Sequence, residues 1–167
     1  ALNSLALLYK NQGRYAAAES LYKRALAIRE KAFGREHADV AELLNNLAAL
    51  YQLQGRYALA EPLYVRALEI RENVLGPDHK DVGTSLNNLA WLYYAQGFYV
   101  RVEPLFRRAL GIFEKALGPD HPDLAIALNN LAALYYRLGQ YPAAGPLFLR
   151  PSPIREKARR RALPPGA

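Results

Sequence analysis

The chain has 167 residues, 51% hydrophobic and 22% charged, the composition of a single globular domain rather than of a disordered or fibrous chain. It holds no run of 18 apolar residues, no secretion-type leader and no cysteine. That argues against a helical membrane span, disulfides and thiolate metal sites, and fits a reducing, cytoplasmic setting. The net charge of +7 is uneven: residues 1–149 carry 16 Lys/Arg against 14 Asp/Glu, and residues 150–167 carry 6 against one.

In chain order, the elements repeat. Gly13, Gly55, Gly97 and Gly139 are 42 residues apart, as are Tyr15, Tyr57, Tyr99 and Tyr141, and so are His37, His79 and His121. The string at Leu2–Tyr9 returns at Leu44–Tyr51, Leu86–Tyr93 and Leu128–Tyr135. Self-similarity at this period marks a helical repeat array. The expected division is a partial repeat over 1–36, complete repeats over 37–78 and 79–120, and a degenerate one over 121–150. A basic, Pro/Arg-rich tail then spans 151–167. The sequence also lacks methionine, so it reads as an excised piece of a longer protein.

Each repeat reads as two helices. In the second repeat, Leu44, Leu47, Ala48 and Tyr51 fall on one face at spacings of three and four, and the helix ends near Gly55. Tyr57, Ala60, Tyr64, Ala67 and Leu68 continue the same spacing to Gly76-Pro77, where proline forbids continuation. The next first helix starts at the His-x-Asp turn. His121 is the expected cap before Pro122, and Asp39 or Asp81 is the candidate cap in the equivalent turns. The alanine columns (Ala48, Ala90, Ala132; Ala18, Ala60, Ala144; Ala25, Ala67, Ala109) predict close helix approach. Tyr9, Tyr51, Tyr93 and Tyr135 are expected to bury their rings between helices. In the fourth repeat Gly145 replaces the Glu19/Glu61/Glu103 column. Pro151 and Pro153 predict a helix break near Arg150.

These columns resemble the tetratricopeptide repeat, and the 42-residue period with "LNNLA", "RALEIRE" and "LGPDHPDLA" is similar to its kinesin-light-chain type. The resemblance implies an all-α, right-handed superhelical solenoid of antiparallel helix pairs, with first helices lining a concave face. It also implies a protein-interaction scaffold that binds peptide segments there. On the first helices, the columns left over from packing give Asn3 and Lys10, Asn45 and Gln52, Asn87, Trp91 and Tyr94, and Asn129, Tyr136 and Arg137 as candidate peptide-binding residues. The Asn3/Asn45/Asn87/Asn129 ladder offers donors and acceptors to an extended backbone whatever its side chains. The resemblance places this first Asn column in the cargo groove. The neighbouring Ser4/Asn46/Asn88/Asn130 column is expected to satisfy buried backbone of the preceding pair. Trp91, Tyr94 and Tyr136 are aromatic anchors of the kind that dominate interfaces. Kinesin light chains use basic groove residues for acidic cargo. Here Lys10 and Arg137 are basic but Glu42 is acidic, which departs from that pattern. On this reading, replacing Asn45 and Asn87 with Ala weakens binding and leaves the melting curve nearly unchanged.

No catalytic residues, cofactor or metal site are expected. The chain has no phosphate-binding glycine loop, HExxH or nucleophile elbow. Its three histidines lie about a helix diameter apart, too far to share one ion. A small-molecule substrate and a membrane partner are not expected either. Nucleic acid enters only through the basic tail. The alternative function is a regulatory, sensor or oligomerisation segment of a larger multidomain enzyme.

Overall fold

The computed structural model describes residues 2–118 and 121–149. Among them lie eight helices: α1 (Leu2–Asn11), α2 (Tyr15–Phe33), α3 (Ala38–Leu53), α4 (Tyr57–Leu75), α5 (Lys80–Ala95), α6 (Tyr99–Leu117), α7 (Pro122–Arg137) and α8 (Tyr141–Leu149). The helices α1, α3 and α5 pack mainly on the helix that follows, α7 packs equally on α6 and α8, each pair packs on its chain neighbours, and α3 also touches α5. The result is an all-α right-handed superhelical solenoid. The expected break near Arg150 and the basic tail lie outside the described residues.

The turns follow from local chemistry. Within each repeat the chain reverses through a glycine such as Gly55, whose φ of 70° an L side chain rarely adopts. Between repeats, the first helices begin under a histidine cap. The Nδ1 atoms of His37, His79 and His121 accept from the backbone N–H of Asp39, Asp81 and Asp123, each at 3.2 Å. The cap therefore belongs to histidine in all three turns, not to Asp39 or Asp81. The imidazole reaches the second helical N–H, which leaves the aspartate in the first turn where its charge suits the helix dipole.

The alanine columns sit at the helix contacts. Ala48, Ala60, Ala67, Ala90, Ala109 and Ala132 have no exposed surface. Around them the leucines and one aromatic column fill the flanks: Tyr22, Tyr64 and Phe106 are buried on successive second helices. Repeat three varies the pattern in a coupled way. Phe113 stands where Arg29 and Arg71 stand in the earlier repeats, and Gly83 stands where Ala41 does. A Cβ on Gly83 would lie 2.8 Å from the Phe113 ring, so the smaller residue makes room for the larger.

A polar interlock joins the repeats. Tyr51 Oη donates to Glu19 Oε1 at 2.9 Å, Tyr93 to Glu61 at 2.8 Å and Tyr135 to Glu103 at 2.8 Å. In each case the tyrosine ends one first helix and the glutamate opens the preceding second helix. Cations close the clamp. Arg56 reaches Glu19 at 2.9 Å, Arg101 reaches Glu61 at 3.7 Å and Arg107 reaches Glu103 at 2.9 Å. Lys23 also bonds Glu19. That bond, followed by those from Tyr51 and Arg56, holds the Glu19 carboxyl below its ordinary range against the opposing effect of partial burial. Tyr9 has no described repeat before it. It is half-buried, with the Arg14 guanidinium 4.1 Å from its ring centre.

Ala67 packs among Val40, Leu44 and Ile70, all buried, so Ala67→Leu should overpack that contact and cost about 1–3 kcal/mol; an unchanged thermal melt would contradict the packing. Burial raises the pKa of Tyr22, Tyr51, Tyr64, Tyr93 and Tyr135 above the ordinary 10.0. The unfolded chain therefore ionises first. Stability should be intact below pH 10 and fall as pH rises toward the folded values, visible as a lower melting temperature at ~pH 11 than at ~pH 9.

Candidate peptide-binding groove

The first helices present a repeating row toward the hollow side, and the asparagines tie that row together. Asn46 Nδ2 donates to Asn3 Oδ1 at 3.1 Å, and Asn88 Nδ2 donates to Asn45 Oδ1 at 2.8 Å. The second asparagine column therefore bonds the first asparagine column of the preceding repeat, and not its backbone as the sequence suggested. Asn3 is further engaged, donating to Glu42 Oε1 at 2.7 Å.

The ladder changes at its third rung. In the amide orientation that suits its neighbours, Asn130 accepts from Trp91 Nε1 and donates to the Ile126 carbonyl, each at 3.2 Å. Asn87 Oδ1 is thereby left buried without a hydrogen-bond partner. Trp91 both fills space and remains accessible. Its ring meets Phe106 edge-on at 5.6 Å and Tyr94 at 5.1 Å, yet 36% of the residue is exposed.

Two hollows meet at this tryptophan. One of about 540 Å³ is lined by Lys10, Ala49, Gln52, Tyr57, Trp91 and Ala95. The other, of about 290 Å³, is lined by Thr84, Asn87, Trp91, Phe113, Ile126 and Asn130. A third hollow of about 440 Å³ opens beside Asn3, Arg29 and Glu42. The structure thus brings Lys10, Gln52 and Trp91 to one wall, and Asn87 and Trp91 to the next. Tyr136 lies 62% exposed against Tyr141. Arg137 stands by the Tyr99 hydroxyl, which with Tyr94 favours its charged form. Asn129 is half-buried on the same helix as Tyr136. Gln52 also serves the core, because its Oε1 accepts from the buried Tyr64 hydroxyl at 3.0 Å. Lys10 occupies that column in repeat one and cannot accept, and Tyr22 Oη has no partner there.

The tyrosine row Tyr57, Tyr99 and Tyr141, which the sequence shows only as a repeat marker, lies beside the groove: Tyr57 lines it, and Tyr99 and Tyr141 meet Tyr94 and Tyr136 edge-to-face. Its signal was available in the pairing of Tyr94 with Tyr99 and of Tyr136 with Tyr141, five residues apart in both repeats. Arg29 and Arg71 serve the scaffold. Arg29 pairs with Asp39 at 3.3 Å, and the half-buried Arg71 donates to Ser85 Oγ at 2.8 Å and to the Asp81 carbonyl at 3.1 Å. Among the described residues no group of three or more His, Asp or Glu could hold a metal ion, and no helix is long and apolar enough to cross a membrane.

The ladder separates two asparagines that share a column. Contrary to the unchanged melt expected from the sequence, Asn45→Ala strands the part-buried Asn88 amide, an effect of about 1 kcal/mol, whereas Asn87→Ala removes an acceptor that nothing uses. Separate melts should show the first variant less stable than the second; equal losses would contradict the ladder.

The tetratricopeptide repeat family matches residues 1–64, 39–114 and 95–157. No curated protein matches the chain in sequence. The crystal structure of BtubC (BKLC) from P. vanneervenii superposes with a TM-score of 0.84 at 29% identity, covering 99% of this chain and 65% of that one. This chain therefore spans less than two thirds of that protein. The putative kinesin light chain of Podosopora anserina, with nearly identical TPR-like repeats, superposes at 0.79 with 25% identity, covering 98% and 76%. Aspartyl phosphate phosphatase F from Bacillus subtilis shares the fold at 0.82 with 18% identity, covering 95% and 40%. With the family matched along nearly the whole chain and its period kept at 42 residues, the chain belongs to the tetratricopeptide repeat proteins of kinesin-light-chain type.

Proposed function

We propose that this chain is a protein-binding scaffold module that holds a peptide segment of its partner along the concave face. The observation that carries this reading is the accessible aromatic and apolar surface on that face. Trp91, on α5, and Ile126 and Tyr136, on α7, are 36%, 51% and 62% exposed, surface that the packing among the described residues leaves uncovered. Large aromatic side chains on a concave wall supply much contact area at little entropic cost. The hollows on both sides of Trp91 give neighbouring side chains of a bound segment somewhere to go. A scaffold role without catalysis accords with the family and with the grouping of the carboxylates. Glu19, Glu61 and Glu103 are engaged in the interlock, and Asp39, Asp81 and Asp123 lie in helix-capping turns.

The test is a peptide-library capture followed by titration calorimetry on the selected peptides. Replacing Ile126 and Tyr136 together with Ala should weaken binding at least tenfold, about 1.4 kcal/mol, and leave the melt within about 0.5 kcal/mol because both are surface side chains. Val100→Ala, at a position 92% exposed at the start of α6, should change neither. Undiminished binding by the double variant would remove the concave face as the site.

A further inference from the structure

We infer that the hollow between Trp91 and Asp123 takes an arginine side chain of the bound peptide segment, with its guanidinium paired to Asp123. This deepens the peptide-groove reading and rests on it.

The array contains its own template for this site. Asn3, Arg29, Asp39 and Glu42 line one hollow, and Asn87, Phe113, Asp123 and Ile126 line another. They belong to the same four columns, two repeats apart. In the first hollow Arg29 pairs with Asp39 at 3.3 Å. One repeat on, Arg71 of the same column donates to the Asp81 carbonyl at 3.1 Å and to Ser85 Oγ at 2.8 Å. In the third repeat the column holds Phe113, and the arginine is gone. Among the described residues no lysine or arginine pairs with Asp123. The His121 Nδ1 lies 3.7 Å from its carboxylate, but that nitrogen accepts from the Asp123 backbone N–H and has no proton to share.

The rest of the lining calls for a donor with positive charge. Asp123 is the one charged residue that lines this hollow. The donors around it are engaged elsewhere: Trp91 Nε1 gives to Asn130, Thr84 Oγ1 to the Lys80 carbonyl at 3.3 Å, and Asn88 Nδ2 to Asn45 at 2.8 Å. An acceptor is left over. Asn3 Oδ1 and Asn45 Oδ1 are answered by the following repeat, whereas Asn87 Oδ1 has no partner. The terminal amide torsion of asparagine is broad, so this oxygen can turn to meet an entering N–H. A carboxylate and an unanswered amide oxygen thus face the place that the column's arginine fills two repeats earlier.

The walls favour arginine over lysine. Trp91 and Phe113 line the hollow with aromatic rings, and Ile126 stands in the column of Glu42. A guanidinium is flat, weakly hydrated and able to lie against an aromatic ring while it donates from its edge. Its aliphatic stem covers apolar surface such as Ile126. An ammonium is compact and strongly hydrated, and gives up more on entering such a site. The Asp123 side chain is 47% exposed, so the pair contributes selectivity rather than most of the affinity.

The experiment starts from the peptide library captured on the intact chain. The inference expects arginine to be enriched at one position of the captured peptides, and Asp123→Arg to exchange it there for aspartate or glutamate. One captured peptide is then titrated in three forms: with that arginine, with citrulline, which keeps the shape without the charge, and with lysine. The citrulline form should bind about fivefold more weakly, as a half-exposed ion pair allows, and the lysine form should also bind more weakly than arginine. On Asp123→Asn the arginine and citrulline forms should bind alike. A merely structural role of Asp123 would weaken both forms equally, because only a direct pair makes the two changes non-additive; that result overturns the inference. Captured peptides without an arginine preference overturn it, as does a preference that survives Asp123→Asn or a lysine form that binds as well as arginine. All of these leave the groove reading intact. A library that returns no peptide overturns both.

Discussion

The architecture depends on how closely two helices can approach, and that distance is set by alanine. Where Ala48 meets its partner helix, and again at Ala60 and Ala67, a side chain of one carbon leaves no surface to solvent and lets the flanking leucines and tyrosines interdigitate. Because small residues return at 42-residue intervals, with Val102 alone breaking the Ala18/Ala60/Ala144 column, successive pairs seat on one another through similar contacts. Curvature and the hollow side follow from that regularity. The groove is thus a product of packing on the opposite side of the first helices, not a feature added to the fold.

Much of this was legible in the sequence because periodicity reports packing directly. The helix pairs, their glycine ends and the buried alanine columns all come from counting. The polar details came out differently for physical reasons. Histidine is the cap in every inter-repeat turn because the helices start at Ala38, Lys80 and Pro122, which puts His37, His79 and His121 at the cap position and Asp39, Asp81 and Asp123 already inside the first turn. The asparagine ladder was visible as a column, but which partner each amide takes depends on orientation across two repeats, and periodicity says nothing of that. The exchange of Arg for Phe113 with Gly83 in place of alanine was likewise two separate variations in the sequence and one event in space.

The row of first-helix side chains is divided between holding the array together and lining open hollows. Asn3 and Asn45 accept from the following repeat, and Gln52 from Tyr64, so parts of the concave wall are already committed to the scaffold. Toward the fourth repeat the balance shifts. Trp91 draws Asn130 out of the ladder, Asn87 loses its expected donor, and the exposed surface becomes aromatic and aliphatic. The two ends of one repetitive wall therefore differ in chemistry although their backbones are alike, and this is how a repeat array acquires direction.

The tyrosine-to-glutamate clamp has a consequence for how such a protein can grow. Its donor always comes from the later unit and its acceptor from the earlier one, so any unit carrying both halves can be copied in tandem and will dock on its own duplicate without inventing a contact. The fourth unit keeps the donor, Tyr135, but has Gly145 where the acceptor would stand. Duplication of the second or third unit would lengthen the array seamlessly, whereas a copy placed after the fourth would arrive with its hydroxyl unanswered.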